Sequence, residues 1–412
     1  VIGAFRDAPA QWRAVPLKRT VMACTTGTWG EEPRGGFDDL ICVRVADFDR
    51  QRLCVDLRNP TRRFVPAAYR HGRMLAPGDL LLEKSGGGDD QPVGAVVLYE
   101  GGAPAVCSNF IARLPVAPGF DARYLSYLHA ALYRLGVNRR SIYQTTGIQN
   151  LDSKSYLGEE VPIPECAEQR RIAAILDART SLVDRLEENK RRLLDLLRER
   201  REALITQTLI PVEHHWPTVR FKFIRSGALL YGANEPAASR STEGPRYIRI
   251  TDLNDDGSLR EDTFQSLPDD LVAPYLLQDG DLLMARSGAT VGKAFRYRSE
   301  WGRACFAGYL VRLRPDRRRV LPDYLYYFTQ SRAYRNQVRL HTVQSTIANV
   351  SAERYGNFEV PLPPLEKQQA MVDFLNGAVQ KLDRLGDVTE RQISLLRGYR
   401  SALIIDAVTR GL

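Results

Sequence analysis

Two stretches of this chain keep a helical rhythm of apolar and charged positions for far longer than the rest. From Glu168 to Ile210 there is neither glycine nor proline, and Leu182, Leu186, Leu193, Leu196, Leu197 and Leu204 recur close to heptad spacing. One helix is therefore predicted over 170–209, entered through the Pro162/Pro164 pair and stopped by Pro211. Residues 366–409 repeat the rhythm through Met371, Leu375, Val379, Leu382, Leu385, Leu396, Tyr399 and Leu403. There Gly377, Gly386 and Gly398 are expected to weaken or bend the helix. Each helix would be about 60 Å long. Two matching seams in one chain predict that the helices pack on each other through these residues.

The match extends beyond the seams. "VPIPECAEQRRIAAILD" (161–177) returns 199 residues later as "VPLPPLEKQQAMVDFLN", and "LLRERREALI" (196–205) returns as "LLRGYRSALI" at the same offset. Upstream, "GIQNLDSKSY" (147–156) lies over "TIANVSAERY" (346–355), "PGDLLLEKSGG" (77–87) over "DGDLLMARSGA" (279–289), and "VRVAD" (43–47) over "IRITD" (248–252). A duplication with an internal pseudo-twofold explains the common order. Before each long helix, short apolar runs such as "DLICVRVADF" and "VGAVVLYEG" in the first half, separated by turn residues, predict short strands. "DARYLSYLHAALYRL" (121–135) and "LPDYLYYFTQSRAYRNQV" (321–338) predict one amphipathic helix per half. The expected class is α/β (α+β): two mixed α/β domains in tandem, residues 1–164 and 211–363. Two long antiparallel coiled-coil-like helices, residues 165–210 and 364–412, separate them.

Composition narrows the partners. The net charge is +9, and most of the excess lies outside the long helices: residues 1–164 carry 20 Lys/Arg against 17 Asp/Glu, and 210–363 carry 21 against 17. That balance favours a polyanion. No apolar run is long enough to cross a membrane, and "VIGAFRDAPAQWRAV" lacks the basic start and apolar core of a secretory signal. The start at Val1 leaves room for native residues upstream. The six scattered cysteines form no C-x-x-C pair and the five histidines no H-x-x-x-H pair, so no metal site is expected. Reduced thiols in a cytoplasmic protein are the expectation.

Catalytic motifs fail one by one. "GATVGKA" (288–294) has three residues between its glycines instead of four, and Ala294 where a phosphate-binding loop needs Ser or Thr. "NPTR" (59–62) lacks the second proline and the aromatic of an amino-methyltransferase motif. No G-x-G-x-x-G follows a strand, and the only E-x-K triplet, Glu188–Lys190, falls inside the heptad helix. The Asp89–Asp90 and Asp269–Asp270 pairs flank turns. A non-catalytic chain is expected.

Globular domain, proline-rich entry, "EQRRIA" helix, then the same order again: this resembles the specificity subunit of type I restriction–modification systems, along essentially the whole chain. The resemblance implies two target-recognition domains that read an asymmetric bipartite DNA site across an unread spacer. It implies spacer helices that dock two methyltransferase subunits, which methylate adenine N6 using S-adenosylmethionine. It also implies restriction (motor–nuclease) subunits that use ATP and Mg, with no cofactor bound by this chain. Base reading needs Arg, Lys, Asn, Gln, Ser or Thr on accessible loops. The candidates are Lys84, Ser85, Arg139, Arg140, Tyr143, Gln144, Thr145 and Thr146 in the first domain. In the second they are Arg286, Ser287, Lys293, Arg339, His341, Gln344, Ser345 and Thr346. Arg317, Arg318 and Arg319 read as an exposed turn. Two alternatives stay open: an assembly scaffold that reads no DNA, and a related modification-only or phage-defence methyltransferase complex.

Overall fold

A computed structural model describes residues 2–36, 38–145, 147–211, 216–235, 244–254, 257–342 and 349–411. The chain forms two compact units, residues 1–190 with 392–412, and residues 191–391. The described helices of eight or more residues are α1 (Ala122–Arg134), α2 (Cys166–Leu209), α3 (Pro322–Thr329), α4 (Arg332–Thr342) and α5 (Leu365–Arg410). Each long helix starts in one unit and ends in the other. α5 is continuous through Gly377, Gly386 and Gly398, so the glycines do not break it. A Cβ at any of the three would meet nothing within 4 Å, which shows that no packing demands glycine there. The single helix predicted over 321–338 is two helices, because buried Ser331 interrupts it and its hydroxyl accepts from the Tyr334 amide to cap α4.

The central sheet of the first unit is built from β1 (Thr25–Thr26), β2 (Phe48–Asp49), β3 (Cys54–Val55), β4 (Leu80–Glu83), β6 (Val96–Leu98) and β7 (Ile111–Leu114), after which β5 (Ser85–Gly86), β8 (Ile142–Thr145) and β9 (Ile148–Leu151) make a smaller sheet. The orders are β1-β7-β4-β6-β3-β2 and β8-β9-β5. β4 is buried along its length because the sheet is covered on both sides. Leu80 and Leu82 face a core with α1 and the long helices, while Leu81 and Val97 face a second core with Ile41 and Val43. The second unit repeats this with β10 (Leu230–Tyr231), β11 (Leu282–Ala285), β12 (Ala294–Arg296) and β13 (Leu310–Leu313), ordered β10-β13-β11-β12. Leu282 and Met284 lie in one core there, Leu283 and Ala285 in the other.

Most repeated sequence elements turn out to be buried polar anchors. In the first unit Gln169 accepts from the Asp121 amide and donates to the Pro164 carbonyl, at 2.8 and 2.9 Å. Gln368 does the same with Leu321 and Pro363, both at 2.8 Å. Asp79 and Asp281, the acids of the two "GD" turns, accept a turn amide and pair with Arg113 and Arg314. Arg44–Asp47 and Arg249–Asp252 close identical turns, each at 2.7 Å. Buried polar groups must be paired, so a duplicated fold retains these residues for its own stability.

The helix seam takes in most of the expected positions of α5 and Leu197 of α2, and passes beside Leu182 and Leu186. In α2 the inward positions are Gln169, Ala173, Leu176, Thr180, Val183, Glu187, Leu194 and Leu197, and in α5 they are Gln368, Val372, Leu375, Val379, Leu382, Gly386, Thr389, Ile393, Leu396, Arg400 and Leu403. Leu197, Leu204, Leu382, Leu396 and Leu403 are thus at least half-buried, and Leu193 is half-buried beside the seam. Leu182, Leu186, Leu385 and Tyr399 lie outside it and are exposed, Leu182 by 52%. Polar side chains hold some of the seam positions. Glu187 is buried and accepts from Gln51 and Arg397, at 2.8 and 2.9 Å. Asp184–Arg400 (3.1 Å) in the first unit and Arg201–Asp383 (3.0 Å) in the second are the same pair with its two ends exchanged by the 199-residue offset. Within each unit the two helices therefore run antiparallel.

Candidate nucleic-acid interface

In the first unit the exit of β4 carries the candidate side chains. Lys84 and Ser85 follow the strand, and both amides donate to the Phe110 carbonyl, at 2.7 and 3.2 Å. The Lys84 ammonium donates to Thr26 Oγ1 at 2.8 Å. Ser85 pairs in register with Asn150 of β9, which pairs in turn with Tyr143 of β8. Since side chains alternate across a strand, Ser85, Asn150 and Tyr143 form a row on one face of the β8-β9-β5 sheet. The opposite face is internal: Gln149 is buried and accepts from the Val93 amide. Tyr143 (54% exposed) and Ile148 are open to solvent, as is Gln144. The side chain of Thr145 and all of Thr146 lie outside the described residues.

Arg139 and Arg140 sit on a short turn before β8 and are exposed. Arg139 lines a cleft of about 680 Å³ with Arg50, Tyr133 and Arg134. Arg50 is committed to Glu83 at the end of β4, at 2.8 and 2.9 Å. Burial pushes the Glu83 carboxyl above its usual range, and the Arg50 charge opposes that.

The second unit reproduces the strand exit. The Arg286 amide donates to the Tyr309 carbonyl at 3.0 Å, and Ser287 bridges to Asn349. The Val350 amide donates to the Arg286 carbonyl at 2.8 Å, just as Leu151 does to Lys84. The Arg286 guanidinium lies 4.5 Å from the centre of the Tyr231 ring, the residue that occupies the place of Thr26 on the neighbouring strand. The other candidates are elsewhere. Lys293 and Arg339 line a cleft of about 1070 Å³ against α2 and α5, together with Leu194, Leu382 and Glu390. The His341 ring stacks on Phe358 at 5.3 Å. Gln344, Ser345 and Thr346 lie outside the described residues. Arg317 and Arg318 pair with Asp279 and Asp316, and Arg319 donates to the Phe223 carbonyl.

Sequence reasoning did not select Asn150, Asn349, Phe110 or Tyr309, although the repeated "I-x-N-[LV]" contained the two asparagines. "GATVGKA" forms a tight turn into β12, with Gly288 and Gly292 at positive φ. A Cβ on Gly292 would come within 2.6 Å of Val338, so that glycine serves packing. Among the described residues no group of three or more His, Cys, Asp or Glu could hold a metal ion, and no helix is long and apolar enough to cross a membrane.

Residues 238–393 match the family model for the type I restriction modification DNA specificity domain. The chain is 23% identical over 354 residues to the type I restriction enzyme StySPI specificity subunit of Salmonella potsdam, and equally to the EcoKI specificity subunit of Escherichia coli strain K12. Each alignment covers 80% of this chain and 73% of the relative. A solved chain from work on complex assembly and conformational transition of the type I R-M system superposes with a TM-score of 0.74 at 18% identity, over 98% of this chain and 99% of that one. The HsdS subunit of Thermoanaerobacter tengcongensis gives 0.51 at 17% identity, over 98% of both chains. The mixed α/β fold with long helices is that of HsdS subunits, and the resemblance to type I specificity subunits holds in both sequence and fold.

Proposed function

We propose that this chain, similar along most of its length to type I specificity subunits, is the DNA-reading specificity subunit of a type I restriction–modification complex. The observation that carries the reading is the duplicated strand exit: each unit presents a cation, a serine and an asparagine at the same place beside exposed aromatic residues. Two such surfaces on diverged domains suit an asymmetric bipartite site, because each unit meets its own bases with its own loops. The chain itself is read as non-catalytic. Adenine N6 methylation, with S-adenosylmethionine, belongs to two methyltransferase subunits, and cleavage, with ATP and Mg, to restriction subunits. The reading holds for a complex with or without the latter, in the cytoplasm.

Exposed apolar residues on the outer faces of the long helices, among them Leu182, Leu186, Leu395 and Tyr399, supply a surface for those partners. The test is exchange of residues 1–164 for the matching segment of a relative, followed by genome-wide mapping of methylated adenines. One half-site is expected to change while the other stays. A chain that directs no sequence-selective methylation with its partners, or whose two half-sites change together, refutes the reading.

A further inference from the structure

Duplicated polar residues in this fold fall into two groups. The Gln169/Gln368, Asp79/Asp281 and Arg44–Asp47/Arg249–Asp252 sets are saturated with internal partners, so stability accounts for them. The Ser85–Asn150 and Ser287–Asn349 pairs are different. All four residues are only half-buried, at the mouth of the strand exit. Each pair is flanked by a cation, Lys84 or Arg286, and by an exposed aromatic, Phe110 (45%) or Tyr309 (67%). The neighbouring loops differ between the halves, yet the serine and the asparagine are the same. What they meet must be common to both half-sites.

Hydrogen bonding decides what that is. Ser85 Oγ donates to Asn150 Oδ1 at 2.6 Å, which occupies the amide oxygen. The Asn150 amide nitrogen has one long contact, 3.4 Å to the Ile148 carbonyl. In the second unit Ser287 meets Asn349 through a backbone bridge, and Asn349 Oδ1 is buried with no partner among the described residues. Reading adenine with asparagine requires the oxygen and the nitrogen together. In the first unit only the nitrogen is offered, which makes Asn150 a donor in search of an acceptor beside a positive charge, and the repeat puts Asn349 at the same place beside Arg286. The acceptor shared by every DNA half-site is the phosphodiester oxygen.

We propose that Ser85–Asn150 with Lys84, and Ser287–Asn349 with Arg286, are duplicated phosphate clamps, one per unit. They seat the DNA backbone at the same strand exit in both units while other loops read the bases. This rests on the DNA-reading function proposed above. The candidates then differ in role, since Lys84, Ser85, Arg286 and Ser287 position the duplex and carry no sequence information.

The experiment uses the full chain with its methyltransferase partners and a duplex library randomised across both half-sites. Asn150→Ala and Asn349→Ala are each expected to weaken binding by about tenfold on every sequence, with the order of preferred sites unchanged. Lys84→Ala and Arg286→Ala should each reduce the slope of log K against log salt by about one. Asn150→Asp, which keeps the shape and the place of the hydroxyl acceptor but removes the donor, should weaken binding further by repelling phosphate. It is the deciding variant if Asn150→Ala fails to fold, with thermal unfolding as the check. Loss confined to one base position overturns the clamp and makes the asparagine a base reader. Unchanged binding by a folded Asn150→Asp overturns it in favour of a purely structural pair. A wild-type complex that shows no sequence-selective DNA binding overturns both this proposal and the function beneath it, so the two failures are told apart.

Discussion

Acidification is expected to destabilise the first unit through one residue, His129. Its ring is fully buried in α1, Nδ1 lies 2.8 Å from the Tyr156 hydroxyl, and Nε2 has no partner among the described residues. Burial alone lowers its pKa from the ordinary 6.5 to about 4. The sign follows directly. Below pH 6.5 the unfolded chain binds a proton that the folded chain refuses until about pH 4, so stability is full above 6.5 and falls as the pH falls between them. A shift of that size corresponds to about 3 kcal/mol in the acid limit, of which about 2 kcal/mol is lost already at pH 5.

The second unit shows that the site need not titrate, because the glutamine anchors that align Asp121 with Leu321 place Thr329 where the first has His129, and the repeat places Tyr355 where it has Tyr156. His129→Phe puts there an aromatic ring that cannot titrate. Urea unfolding would be followed by tryptophan fluorescence at pH 7 and pH 5, Trp12 and Trp29 reporting on the first unit and Trp216 and Trp301 on the second. For the wild type the first-unit midpoint should drop by about 1 M more than for His129→Phe, taking a slope of about 2 kcal/mol per molar. The variant loses the Tyr156 contact, which lowers its stability at both pH values and leaves the difference intact. Equal pH losses in wild type and variant would refute the assignment.

Three further outcomes are expected. Thiol reagents at pH 8 should modify exposed Cys24 first and leave Cys42, Cys107 and Cys305 unreacted in the folded chain, because burial raises those thiols to about 11, 12 and 12; mass spectrometry of the labelled peptides checks this. Gly377→Ala and Gly398→Ala should each stabilise α5 by roughly 0.5–1 kcal/mol, whereas Gly27→Ala and Gly232→Ala, whose Cβ would come within 2.0 and 2.1 Å of the Cys107 and Phe306 carbonyl oxygens, should each cost about 1–3 kcal/mol in urea titrations. One heptad inserted after Lys190 and another after Arg391 keeps both seams in phase and adds about 10 Å to each helix. The unread spacer should then lengthen by about three base pairs with the half-site bases unchanged, and methylation mapping that returns the original spacer would show that the helices do not set it.

The seam shows where sequence reading stopped. Leu182 and Leu186 scored as core on hydrophobicity, yet the buried positions beside them are Val183 and Glu187. A glutamate can hold a seam position only because Gln51 and Arg397, far away in sequence, arrive to bind it. Nothing local announces those partners. The strand "GDLLLE" was legible because one acid-capped turn and a run of leucines state both the turn and the double burial. The helix entries were legible because Pro and Gln recur there together.

The candidate interface was legible in part and for a related reason. Lys84, Ser85, Arg286 and Ser287 follow directly from a strand whose end can be read, so residue type and place agree. Asn150 comes from a strand, and Asn349 from an isolated bridge, whose partner can only be assigned once the register is known. Before that, each is an ordinary polar residue in a weak motif. Duplication then adds what a single copy could not supply. A repeated residue that is saturated by its own fold explains itself, as Gln169 and Gln368 do. A repeated residue left with an open donor beside a cation, in surroundings that have otherwise diverged, calls for a ligand that both halves share. For two units proposed to read different bases, the ligand that fits is the phosphate backbone each of them would meet.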